Sequence, residues 1–163
     1  MDITIPLQPG QDQLRGSWLE INGSNNAAII RAVGNRVETL THVVLGDDFI
    51  AGFRANRKSY ILLPSHSVTT VEFERLGVAG LPPIRQTSAI AGEYLQGLGH
   101  ISARIWLAGQ HTPLPVSRVR VVGRWLVHGL DGPTATSERA ISFRSVALIE
   151  LIEGFDQTTR KGQ

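Results

Sequence analysis

The apolar residues of this chain recur in short runs that alternate with polar residues, and Gly, Asn or Pro separates the runs. Alternation with a period of two predicts half-buried β-strands, and the separating residues predict turns. The first half contains five such runs: Ala27–Ala32, Val37–Leu45, Phe49–Arg54, Tyr60–Leu63 and Val68–Phe73. The second half contains five more: Ile101–Ala108, Val116–Val122, Trp125–His128, Ala140–Phe143 and Val146–Ile152. The protein is therefore expected to be mainly β.

A short helix is expected in front of each set of strands. The first follows an Asp12 cap and ends at Gly23, and the second follows a Ser88 cap and ends at Gly99. Asp and Ser side chains accept hydrogen bonds from the free amides of a helix start, and Gly commonly follows a last turn. The order of one helix and five strands is thus predicted twice.

The spacing of equivalent residues also indicates a duplication. Gly23 and Gly99 lie 76 residues apart, and Glu72 and Glu150 lie 78 apart. The offset changes only at predicted turns, which tolerate insertions. We divide the chain into a first unit (1–75), a Gly/Pro linker (76–87), a second unit (88–155) and a polar tail (156–163).

This order of elements resembles the Sm-like small β-barrel, an SH3-type fold with a long second strand that bends at its middle. The resemblance covers nearly the whole chain, twice, and extends to actinobacterial proteins that carry two degenerate Sm-like barrels in tandem. It implies two tandem small five-stranded barrels, each preceded by a short helix. It transfers no established biochemical role to this chain.

The RNA-binding motifs of true Sm proteins are absent from both copies. In place of their Asp-x-apolar-x-Asn signature, the chain reads VETLTH at 37–42 and PVSRVR at 115–120. In place of their basic-Gly step, it reads PSHS at 64–67 and FRS at 143–145. The resemblance therefore implies the fold without the uridine-type RNA pocket.

Composition narrows the function classes. Apolar residues make up 42 % of the chain, which suffices for a packed core, and the absence of cysteine excludes disulfides, thiolate nucleophiles and Cys-based zinc sites. The first residues, MDITIPLQPGQDQ, lack the basic start and apolar run of a secretory signal. We expect a cytoplasmic protein without a membrane span.

The net charge of +2 is uneven, because residues 1–82 carry −1 and residues 83–163 carry +3. A basic strand face beside an aromatic side chain can bind single-stranded nucleic acid. The candidate residues are Arg118, Arg120 and Arg124, with Trp106 and Trp125, and a second basic patch lies at Arg54, Arg57 and Lys58. Two residues apart on a strand, Arg118 and Arg120 are expected to share one face. The simpler interpretation, that these arginines are the solvent side of an alternating strand, is preferred.

No catalytic residue, metal site or cofactor is expected. The five histidines lack the close spacing of a metal site, and neighbours in Ser65-His66-Ser67 point to opposite faces of a strand. Asp47-Asp48 lies at a predicted hairpin, where such side chains usually bond the local backbone.

We therefore expect a non-enzymatic binding or scaffold protein that acts through barrel edges or the groove between the barrels. Small open barrels leave edge strands that invite pairing with a second chain. The partner is then an unidentified protein or a second copy. The alternatives are weak binding of RNA or single-stranded nucleic acid by the basic second half, and an enzyme of unfamiliar type.

Overall fold

The computed structural model describes residues 23–55, 59–99, 101–129 and 137–153, and within these ranges most residues lie in strands. The strands are β1 (Ala27–Ala32), β2 (Arg36–Leu45), β3 (Phe49–Arg54), β4 (Tyr60–Pro64), β5 (Val68–Glu74), β6 (Arg85–Gln86), β7 (Ile101–Leu107), β8 (Leu114–Val122), β9 (Trp125–Gly129), β10 (Glu138–Ser142) and β11 (Val146–Glu153). One helix, α1 (Ala91–Gly97), and 3-10 turns at Ser65–Ser67 and Phe143–Ser145 complete the described part. The prediction of a mainly β protein is confirmed.

All ten predicted strands are present, with ends within two residues of the predicted positions. Strands such as β7 and β9 bury alternate residues, whereas β3 and β4 are buried on both faces and were indicated by their short apolar runs between turns. The short strand β6 was not predicted, and it lies in the segment assigned as a linker. It pairs in parallel with the end of β2, through Val44 opposite Arg85 and Leu45 opposite Gln86.

The prediction that Ser88 caps the second helix is wrong. The first helical residue is Ala91, and its amide donates to Asp48 Oδ1 at 2.7 Å. The amide of Ile90 donates to Glu93 Oε1 at 3.1 Å. The helix start is thus satisfied mainly by a side chain 43 residues away in sequence, which local pattern could not indicate. The helix predicted from Asp12 to Gly23 lies outside the described residues, except for Gly23.

The described strands form one open sheet in the order β10-β9-β8-β7-β11-β4-β3-β2-β1-β5, with β6 beside β2. All neighbours are antiparallel except β6 and β2. Each half has the same internal strand order. Its fifth strand lies beside its first strand, and the second, third and fourth strands follow in turn. The halves join where β4 pairs with β11. The strands β5 and β10 therefore form the two ends of the sheet.

The second strand of each half is interrupted at the same place. His42 in β2 and Arg118 in β8 both adopt left-handed backbone conformations, with φ of 52° and 49°. The register shifts there, between Thr41 and Val44 in one half and opposite Ile101 and Ala103 in the other. Non-glycine residues rarely adopt positive φ. Two such residues 76 positions apart support a duplicated backbone design.

The hydrophobic core forms two clusters, and both cross the junction. The first combines residues of the first half with many of the second, including Phe49, Leu62, Ile105, Leu126 and Ile149. The second consists mostly of first-half residues but includes Leu148 of β11, with Trp106 packed against it. Adjacent residues of β11 thus enter different clusters. Since fully burying a large apolar side chain contributes about 1.5–3 kcal/mol, the junction is held by the core as well as by strand pairing.

Candidate functional site: the groove at the junction of the two halves

The junction is a short antiparallel ladder between the fourth strand of the first half and the fifth of the second. Leu62 lies opposite Ile149, Ile61 opposite Glu150, and Tyr60 opposite Leu151. These residues are buried, so the ladder is shielded from water. It provides the backbone on which charged side chains from both halves converge.

The segment Ser65-His66-Ser67 extends this junction. It forms the 3-10 turn after β4, and Nε2 of His66 donates to the carbonyl oxygen of Val146 at 2.7 Å. The Ser67 hydroxyl donates to the carbonyl oxygen of Ala147 at 2.9 Å. Both side chains therefore satisfy backbone carbonyls at the start of β11. This arrangement holds the two halves together.

Four charged side chains form an ion cluster on one side of the junction. Arg54 binds both carboxylate oxygens of Glu38, at 2.8 and 3.0 Å, and also Glu150 at 2.7 Å. The second oxygen of Glu150 accepts from Arg104 at 3.0 Å. The side chains of Arg54, Glu38 and Glu150 are 13 %, 12 % and 10 % exposed, whereas Arg104 is 52 % exposed. The cluster is electrically neutral and links β2 and β3 to β7 and β11.

The ion cluster forms part of the wall of an open groove with a volume of about 690 Å³. Its other lining residues include Arg36 and Val37 of β2, Trp106 of β7, and Pro113. The guanidinium carbon of Arg36 lies 5.5 Å from the centre of the Trp106 ring, a cation–π contact. Three arginines and two glutamates give the groove a net charge of +1.

Two tyrosines join the first half to the helix of the second. The hydroxyls of Tyr60 on β4 and Tyr94 on α1 form a hydrogen bond with each other. Burial, with the neighbouring Tyr94, raises the pKa of Tyr60 well above its usual value, and burial also raises the pKa of Tyr94. Both phenols are therefore neutral structural groups at physiological pH.

The acidic pair Asp47-Asp48 lies between β2 and β3, as predicted for a hairpin turn. Asp48 holds the start of α1, and the amide of Asp47 donates to the carbonyl of Ala89 at 3.0 Å. The pair thus positions α1 against the first half. These two backbone partners, Ala91 and Ala89, are distant from the pair in sequence.

The basic candidates of the second half lie around the turn between β8 and β9. Arg118, Arg120 and Arg124 are exposed, and Trp125 is 49 % exposed. Arg120 pairs with Glu138 at 2.7 Å, on the surface. Arg118 and Arg120 are exposed on either side of the buried Val119, and Arg118 has a left-handed backbone conformation.

The second predicted basic patch is only partly described. Arg54 is not a solvent-exposed cation at a hairpin tip, since its guanidinium is almost buried between two carboxylates. Arg57 and Lys58 lie outside the described residues. Arg54 therefore belongs to the ion cluster at the junction.

Within the described ranges, no three His, Asp or Glu side chains are grouped so that they could hold a metal ion. The described histidines are dispersed, and His128 is buried with Nδ1 bonded to the carbonyl oxygen of Gly129 at 3.0 Å. No helix in this part of the chain is long and apolar enough to cross a membrane.

Sequence reasoning missed Arg36, Glu38, Arg104, Trp106 and Glu150 as a group. They come from three strands of both halves, and none stands in a recognisable motif. Two signals were available: Trp106, which the sequence indicated only as an aromatic partner of the basic residues of the second half, and Glu150, a charged residue within the apolar run of the last strand. Comparisons with protein-family models, curated proteins and solved structures found no match to this chain.

Proposed function

We propose that this protein is a non-enzymatic scaffold of two tandem Sm-like barrels, each preceded by a short helix, and that it associates with further copies of itself through its sheet edges. The observation that supports this is the pairing of β4 with β11 inside the chain. That joint connects a fourth strand to a fifth strand. A fourth strand, β10, and a fifth strand, β5, remain at the ends of the sheet.

The end strands β5 and β10 are equivalent to the two paired strands. An offset of 78 relates β4 to β10 and β5 to β11. Transferring the internal register to a joint between two copies places Val71 opposite Ala140 and Glu72 opposite Arg139. Opposite charges that face each other across a strand pair contribute about 0.2–1 kcal/mol. Because the joint connects unlike edges, copies add head to tail, and the rotation between neighbouring copies sets how many copies the assembly contains.

The backbone groups of both edges point outward at known positions. Phe49 lies opposite Pro64, which has no N–H and so cannot donate to β3. Backbone groups alternate in direction along a strand, so Leu62, two residues before Pro64, directs its N–H and C=O towards β11. Ala140 is the equivalent of Leu62 on β10. On β5, the carbonyl of Glu74 accepts from the amide of Asn26, so the groups of Val71 face away from β1.

Sedimentation analysis of proline variants tests this proposal. We expect the wild-type protein to sediment as a dimer or larger species. Val71→Pro and Ala140→Pro, which remove one outward N–H each, are expected to be monomeric, because proline cannot donate to a strand ladder. The matched controls Val71→Ala and Ala140→Ser keep the N–H and should associate like the wild type.

A mixture of the two proline variants sharpens the test. Val71→Pro keeps an intact β10 and Ala140→Pro keeps an intact β5, so together they can form a single joint. An equimolar mixture should yield a dimer and nothing larger. A wild-type protein that stays monomeric at high concentration, or proline variants that associate unchanged, would contradict the proposal.

Binding of single-stranded nucleic acid is a second candidate function, supported by the exposure of Trp125 beside Arg124. Phosphate contacts make such binding weaken steeply as salt rises. Arg124→Gln and Trp125→Ala should then each reduce oligonucleotide binding at low salt. The absence of binding at low salt excludes this candidate.

A further inference from the structure

We propose that the junction groove binds a mononucleotide-type ligand, with a phosphate on Arg36 and Arg104 and a planar ring in the groove. This inference concerns a small-molecule site and goes beyond the association of sheet edges. The groove volume of about 690 Å³ lies within the range of roughly 300–1,000 Å³ that is usual for ligand sites. It exists only because strands of both halves meet there.

The arrangement of β7 places the relevant side chains side by side. Ala103 and Ile105 face the core, so Arg104 and Trp106 lie on the opposite face, two residues apart. Arg36 lies against the Trp106 ring. A guanidinium, an indole and a second guanidinium therefore follow one another along the groove wall.

The charges favour an anion. Glu38 and Glu150 are both engaged by Arg54, and Glu150 also binds Arg104. In the described part of the chain no carboxylate pairs with Arg36, so the groove keeps one positive charge in excess. Arg104 uses one N–H group on Glu150 and is half exposed, which leaves its other donors open to the groove. A guanidinium presents five donors in a fork that matches phosphate geometry.

The site is also held in place before a ligand arrives. The cation–π contact restrains Arg36, the salt bridge restrains Arg104, and the buried Arg54 pairs fix Glu150. Restraint of this kind lowers the ordering cost of binding. The indole and guanidinium planes provide surfaces on which a base can stack.

The test follows the indole N–H signals of the three tryptophans by NMR, with Trp106 assigned from Trp106→Phe. Titration with adenosine monophosphate should shift the Trp106 signal to saturation. Adenosine and ribose 5-phosphate should each bind at least tenfold more weakly, because each lacks one half of the ligand. Arg36→Gln and Arg104→Gln should weaken binding by about tenfold or more, as expected when a hydrogen bond to a charged group is lost.

Two comparisons complete the test. Arg124→Gln makes the same chemical change outside the groove and should leave binding unchanged, and Arg36→Lys should be intermediate because it keeps the charge but loses the fork. If a single-stranded oligonucleotide binds more tightly than adenosine monophosphate does, and Arg36→Gln abolishes that binding as well, the site is supported and its nucleotide belongs to a nucleic-acid strand. No Trp106 shift at millimolar nucleotide, or a shift that survives both glutamine variants, overturns the inference.

Discussion

Replacing Arg54 with methionine removes the guanidinium at the centre of the junction ion cluster and keeps an unbranched side chain in its place. Arg54 makes three of the four charged hydrogen bonds of the cluster, two to Glu38 and one to Glu150. After the replacement, Glu150 still has Arg104. Glu38 has no other ion-pair partner in the described part of the structure.

The expected loss follows from the burial of the carboxylates. Removing one partner of a buried ion pair costs about 3–5 kcal/mol, mainly because the other charge is left without compensation. Glu38 is 12 % exposed, so water can replace the guanidinium only in part. Because Glu150 keeps a partner, we expect the lower end of the range, about 3 kcal/mol. For a chain of this size, that loss lowers the melting temperature by about 6–12 °C.

Urea unfolding at neutral pH measures this free energy, and Arg104→Met is the matched control. Arg104→Met is also an arginine-to-methionine change, and Arg104, like Arg54, binds Glu150. Arg104 differs from Arg54 in that its side chain is 52 % exposed. Exposed pairs contribute about 0–1 kcal/mol, so its effect should be small. The double variant Arg54→Met/Glu38→Met should recover much of the lost free energy, because position 38 then carries no buried charge without a partner. Equal effects of the two arginine replacements, or a double variant as unstable as Arg54→Met, would refute the reasoning.

Two further predictions concern the contacts of α1. Asp48→Ala should reduce the free energy of unfolding by about 1 kcal/mol and speed hydrogen exchange in α1, because the Ala91 amide loses its acceptor; Asp48→Asn keeps an acceptor oxygen and should retain most of the stability. Burial raises the pKa of Tyr60 and of Tyr94, so the native state keeps protons that the unfolded chain releases at about pH 10. This stabilisation should be fully present below that pH and decline as pH rises through the native pKa values, with tyrosinate absorbance appearing together with unfolding. Since these are the only tyrosines of the chain, tyrosinate absorbance at about pH 10 in a still-folded protein would count against this.

The candidate site was less accessible to sequence reasoning than the fold. Arg54 stood in a basic run at a predicted hairpin tip, and local charge suggested an exposed patch. The structure instead buries it against Glu38, 16 residues away, and Glu150, 96 residues away. Similarly, Asp48 was interpreted as a local turn former, but it supplies the acceptor for a helix start in the other half. The local sequence pattern predicted Arg54 and Asp48 each as part of a separate turn. It contains no signal for a contact with a residue that is distant in sequence.

The sequence by itself determined the strands and their repetition, because a half-buried strand must alternate apolar and polar residues with a period of two. Equivalent spacings also indicated the duplication. Only the tertiary structure decided that β4 pairs with β11 and that β5 and β10 lie at the ends of the described sheet. Strand pairing depends on backbone hydrogen bonds, which every residue except proline can make, so the residues of an edge do not specify which edge they join. The groove follows from that pairing, since its charges come together only when both halves share one sheet.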